Sequence, residues 1–178
     1  MKAMTGSAPA KSRRQKRRGA AAIEFAFVAL PFFILMLAIF EIGMMLLVSA
    51  LVETATSDAS RLIRTGQAQI QNLTPEQIKT RFCSKMSVFN KNCDARTHID
   101  IRVVKAFSGN IAPDPMQTGI FDPEVLAYQP GVPGDFVLVR IWFEHPIFTP
   151  FISDALTRSD DNVVRLNSTL AFRNEPYL

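Results

Sequence analysis

From Ala20 to Val52 run 33 residues whose only charges are Glu24 and Glu41. As one helix that run is roughly 50 Å long, against a hydrocarbon core of about 30 Å. About twenty residues can therefore span a bilayer, and the rest must leave it still helical. Lys11, Arg13, Arg14, Lys16, Arg17 and Arg18 crowd the edge just before the run. The positive-inside rule then puts the N-terminus in the cytoplasm and everything after about residue 45 on the far side. Charge is segregated accordingly. Residues 1–19 hold seven of the 20 Lys+Arg and none of the 16 Asp+Glu, so the remainder is slightly acidic although the whole chain carries +4. A basic tail beside a hydrophobic run is not the folded basic face, interleaved with aromatics, that a nucleic-acid-binding domain needs. With 48% apolar and 20% charged residues, the chain is not a disordered one either.

A cleaved secretory signal also starts with basic residues, but its apolar stretch is shorter, about 7–15 residues, and ends at a small-x-small site. Val48-Ser49-Ala50 is such a triplet, too far from the basic edge to serve. The helix is expected to outlast the membrane. Met45, Val48, Leu51/Val52, Ala55, Ala59 and Leu62 recur in steps of three and four, with Glu53, Thr54, Ser57, Asp58 and Arg61 between them. That is a one-sided helix, with Gly66 as its stop.

The chain thus divides into a basic leader (1–19), a transmembrane and emerging helix (20–66) and an extracytoplasmic domain (67–178). In the domain, Thr74-Pro75-Glu76-Gln77 reads as an N-cap, a first-position proline and a capping-box glutamine. Ile78, Phe82, Met86 and Phe89 give the helix at about 75–89 an apolar face. Strands are expected at His98–Phe107, with Ile99, Ile101 and Val103 on one side, and at Asp135–Glu144 and Val163–Arg173. Residues 109–134 contain five Pro and four Gly and should be mostly loop. The fold class is α+β: a long N-terminal transmembrane helix continuing into a small domain with a short helix and an antiparallel sheet.

Cys83 and Cys93 are the only cysteines, and both fall on the side that permits disulfides. A bond between them would stabilise by about 2–3 kcal/mol, two free buried thiols being the alternative. Two cysteines do not make a zinc site. Catalytic motifs are not found: no G-x-S-x-G, H-E-x-x-H, Walker A or G-x-G-x-x-G. An enzyme would need His98 or His145 beside carboxylates, and a structural role is the simpler reading of both. Asp160-Asp161-Asn162 lacks the spacing of a calcium loop and reads as a polar turn. No enzyme, cofactor or small-molecule substrate is expected.

Glu24 lies one turn inside the apolar run, where a carboxylate costs up to a few kcal/mol according to depth. A cut after Gly19 would make it the fifth residue of the shortened chain and create an α-amine at Ala20. Paired across neighbouring helices, the two charges would satisfy each other and fix the axial register. Small Ala20, Ala21 and Ala22 would let those helices approach. Glu41 falls near the outer interface, where contact with water is expected, with a residue of another subunit as the alternative.

The stretch Gly19-Ala20-Ala21-Ala22-Ile23-Glu24-Phe25, followed by Leu30-Pro31, resembles the TadE-like family, pseudopilins or minor pilins of the tight-adherence (Tad/Flp) pilus. Phe148-Thr149-Pro150-Phe151 and Ala171-Phe172-Arg173-Asn174-Glu175-Pro176-Tyr177 are similar to stretches of many such proteins. The resemblance implies that a membrane aspartyl prepilin peptidase cuts Gly19–Ala20 on the cytoplasmic side. It makes Glu24 the assembly carboxylate, with Phe25 where the major pilins commonly carry Tyr. The implied partners are other pilins and minor pilins, the assembly platform and the membrane, with no nucleic acid. The implied place is the bacterial inner membrane, with the domain periplasmic or carried into a surface pilus. A chain far longer than a major pilin implies an initiating or capping role. Pro31 should kink or loosen the helix, and Arg173–Pro176 is either a strand end closed by proline or a docking surface. The rival is a single-pass envelope binding module unrelated to pili, indifferent to changes at Gly19 and Glu24.

Overall fold

The computed structural model of the chain describes residues 11–105, 112–117, 120–148 and 163–176, and only the backbone of 11–18. The turn expected at Asp160–Asn162, the Thr149–Phe151 stretch and Tyr177 lie outside the described residues. Helix α1 runs from Lys11 to Arg64, continuous through Pro31. Among its described parts the chain forms two compact units, one ending at Phe40 and the other beginning at Glu41.

In the first unit the large apolar side chains face outward: Phe25 is 72% exposed and Phe27 78%. In the second unit the same helix is one-sided. Val48, Val52, Ala55, Ala59 and Ile63 are buried, and Leu62 is only partly so. The helix ends as its sequence requires, with Gly66 in the left-handed region (φ 77°), where a side chain would be strained.

Two single-turn helices, α2 (Gln67–Ile70) and α4 (Cys93–Arg96), flank the expected helix α3 (Pro75–Lys85). The capping box at the start of α3 is formed: the Gln77 N–H donates to Thr74 Oγ1, and the Thr74 N–H donates to Gln77 Oε1 at 2.9 Å. Ser87 takes φ 51°, and residues Ser87–Phe89 tighten into a 3-10 turn, so the expected helix breaks after Lys85. Ile78, Phe82 and Met86 nevertheless share the core.

Strands β1 (Thr97–Val104), β2 (Phe136–Pro146) and β3 (Val163–Arg173) form an antiparallel sheet in the order β1-β2-β3. The fold is α+β. One face, with Ile99, Ile101, Val137, Val139, Ile141 and Phe143, closes the core with α1 and α3. Val103 departs from expectation, at 37% exposed, while Val104 beside it is buried. The other face is covered as well. Residues of 112–127 roof it, so Asp100 is wholly buried there along with Leu138 and Trp142.

Asp100 carries that roof. Its carboxylate accepts from Arg102 Nε (2.8 Å), Arg140 Nη2 (2.6 Å) and the Ala127 N–H (2.7 Å). The guanidinium groups also donate to loop carbonyls, Arg102 to Val125 and Arg140 to Pro113. A buried carboxylate holding two arginines needs every partner it has.

The segment Arg173–Pro176 begins as the expected strand end, with β3 stopping at Arg173 and Pro176 just beyond it. After β3 ends, buried Asn174 donates through Nδ2 to the carbonyls of Pro130 and Val132. The Glu175 N–H donates to the Arg64 carbonyl at 2.8 Å, and its carboxylate pairs with Arg64 at 3.1 Å. The tail is thus latched to the end of α1. Gly131 (φ 73°) allows the close approach, since a Cβ there would lie 3.0 Å from Val103 and 3.2 Å from Asn174.

Candidate functional site

The residues singled out in the sequence fall in two places. Gly19, Ala20, Glu24 and Phe25 lie on α1 in the first unit, and all are exposed. Nothing lies within 4 Å of where a Gly19 side chain would begin. Glu24 has no hydrogen bond or ion pair with any described residue. Around it Ile23, Phe25, Val28 and Leu30 project from a helix that no described residue covers. Apolar exposure on this scale, over a contiguous stretch, marks a surface built for lipid or for other helices. The described residues contain one helix long and apolar enough to cross a membrane, Gly19–Arg64, with a mean hydropathy of 2.5 in its most apolar stretch.

Glu41 corrects the expectation of water contact. It is only 5% exposed, and its Oε1 accepts the Phe148 N–H at 2.6 Å. One of its partners is thus the chain just past β2. Beside it, His145 is buried between Phe89 and Phe148, both edge-on to its ring. Burial pushes the His145 pKa down and Arg96 adds to this, against an opposing pull from Glu41. The imidazole is held neutral, as a packing element.

His98 Nε2 lies 3.5 Å from Glu144 Oε1, a carboxylate that Arg165 Nε also engages at 3.0 Å. Desolvation lowers the His98 pKa, and the charge of Glu144 resists. The His98 ring packs on Phe121, which is also covered by Arg165 and meets Trp142 edge-on. This ladder fastens the roof to the sheet. Among the described residues no group of three or more His, Cys, Asp or Glu is placed to hold a metal ion.

Cys83 and Cys93 form a disulfide that ties α3 to α4. Both cysteines are buried, and the bond fixes the corner from which β1 starts.

The geometry defines a class: a chain with one long apolar helix, outward-facing for its first half, whose second half is the spine of a disulfide-bonded α+β domain. A family model described as TadE-like protein matches residues 19–61, beginning at the glycine that precedes Ala20. The match covers 43 of the 178 residues and so speaks for the helix and not for the domain. No curated protein and no solved structure matches it.

Proposed function

We propose that the protein is a pseudopilin or minor pilin acting in the assembly of a Tad-type pilus, with no catalysis of its own. The observation that carries this reading is the TadE-like match at 19–61, laid over a helix whose apolar side chains and Glu24 are uncovered. In this reading the basic leader stays in the cytoplasm of the bacterial inner membrane and the domain lies in the periplasm. Prepilin peptidase cuts Gly19–Ala20. The new amine at Ala20 then meets a glutamate on a neighbouring pilin helix, and Glu24 meets the amine of another. Removing one partner of such a pair in an apolar bundle costs about 3–5 kcal/mol, enough to abolish assembly.

Two measurements test this. Mass spectrometry of the protein purified from membranes should find a mature N-terminus at Ala20; an intact Met1 or a start near Leu51 overturns the processing. Glu24→Gln should abolish piliation while the domain keeps its melting temperature. Normal pili in that variant would remove the role given to Glu24.

A further inference from the structure

We propose that the groove between α1 and the outer edge of β3 receives an extended, acidic segment of another protein, which pairs with β3 as a fourth strand. The inference goes beyond the pilus reading and stands without it, since every residue it uses lies in the second unit.

A three-stranded sheet has two edges, and here they are treated differently. The edge of β1 is covered: the Ile101 N–H donates to the Ala127 carbonyl, and the Gln129 N–H to the Ile101 carbonyl, both at 2.8 Å. Along β3, the stretch Leu166–Phe172 pairs with β2 on one side and with no described residue on the other. Alternate residues there turn N–H and C=O groups outward, which is a ready template for a further strand. Adding a strand at such an edge draws affinity from main-chain hydrogen bonds and specificity from the groove walls.

Beside this edge lies a groove of about 380 Å³, lined by Ser57, Ser60, Arg61 and Arg64 of α1 and by Leu170 and Phe172 of β3. Ser60 is 4% exposed, yet its Oγ has no hydrogen-bond partner among the described residues. The threonines of the same region behave otherwise: Thr54, Thr56 and Thr65 each donate to the carbonyl four residues back. A buried hydroxyl left unpaired is costly, and an incoming main chain would supply its partner.

Charge selects the occupant. Arg61 lines this groove and also the adjoining cleft, with Arg81 and Lys85, and has no ion pair among the described residues. The one acid on the wall, Asp58, is engaged by Lys85 at 2.9 Å. The chain's own tail shows the chemistry at one end, where Glu175 offers an N–H to the Arg64 carbonyl and a carboxylate to its guanidinium. An extended acidic segment would extend the same pattern along β3.

The test uses the full chain in detergent micelles and a synthetic peptide of about eight residues alternating Glu and Val, a typical strand length. Its counterpart carries Lys in place of Glu. Amide hydrogen exchange over 166–172 is the readout. The Glu peptide should slow exchange of alternate outward amides at least about tenfold, the Lys peptide should not, and Arg61→Glu should weaken binding about tenfold with the melting temperature unchanged. Should Arg61→Glu fail to fold, Arg61→Gln carries the same comparison. No protection at about 1 mM Glu peptide, or equal protection by both peptides, overturns the proposal. Protection that rises with protein concentration in the absence of peptide also overturns it, because the occupant would then be a second copy.

Discussion

Two glutamates on one helix mark the difference between the two units. Glu24 stands among outward-facing Phe25, Phe27 and Val28 and has no partner among the described residues, whereas Glu41 is buried and holds the Phe148 N–H. Both interrupt an otherwise apolar run, and by composition they are alike. One is satisfied inside the chain; the other meets no described residue. The apolar surroundings say the same. Before Phe40 the helix shows its large side chains, and from Val48 on it hides them against the sheet. An unfinished surface is a binding surface, and a finished one is a core.

The most forceful way to break this contrast is to unfold the finished unit alone. Asp100→Ala leaves two arginines without the carboxylate that holds them and should cost about 3–5 kcal/mol. Near-ultraviolet circular dichroism around Trp142 should show the domain melting well below the wild-type temperature, with much of the helical far-ultraviolet signal persisting in detergent. A wild-type melting curve would mean that the roof is not what stabilises the sheet.

A paired substitution sharpens the contrast. Glu41→Gln replaces a charge-assisted bond to the Phe148 N–H by a neutral one or none, and should destabilise the domain by about 1–2 kcal/mol. The same change at Glu24 should leave domain stability where it was. Equal effects in denaturant titrations of the two variants would erase the distinction.

The smallest effect concerns pH. The folded-state pKa of His145 lies below its ordinary value of 6.5, as does that of His98. The unfolded chain therefore takes up protons that the folded chain refuses, so stability is complete above about 6.5 and falls as pH drops below it. His145→Asn should flatten part of that slope. An unchanged slope in melting temperatures between pH 7 and 5 would show that His145 is not its source.

What the sequence disclosed follows the range of the interaction. The capping box of Thr74 and Gln77 is complete within four residues, and the stripe from Val48 to Ala59 within a few turns, so pattern alone located both. The single turns at Gln67–Ile70 and Cys93–Arg96 are too short to show a period. The strand alternation places Ile99 and Ile101 on one face but says nothing of what covers Asp100 on the other. The opposite face is roofed by a proline-rich loop whose course no periodicity encodes. Glu41 was judged by membrane depth because its partner lies 107 residues away. The Gly19–Glu24 spacing is also local, six residues on one helix, and needs no knowledge of the fold to be read.

The latch at Arg64 bears on timing. The Arg64 carbonyl receives its donor from Glu175, which is synthesised about 110 residues later, and Asn174 closes the loop carbonyls in the same step. The end of α1 therefore keeps this carbonyl uncapped until nearly the whole domain has been made. Until then the last turn of the helix must leave that carbonyl to water.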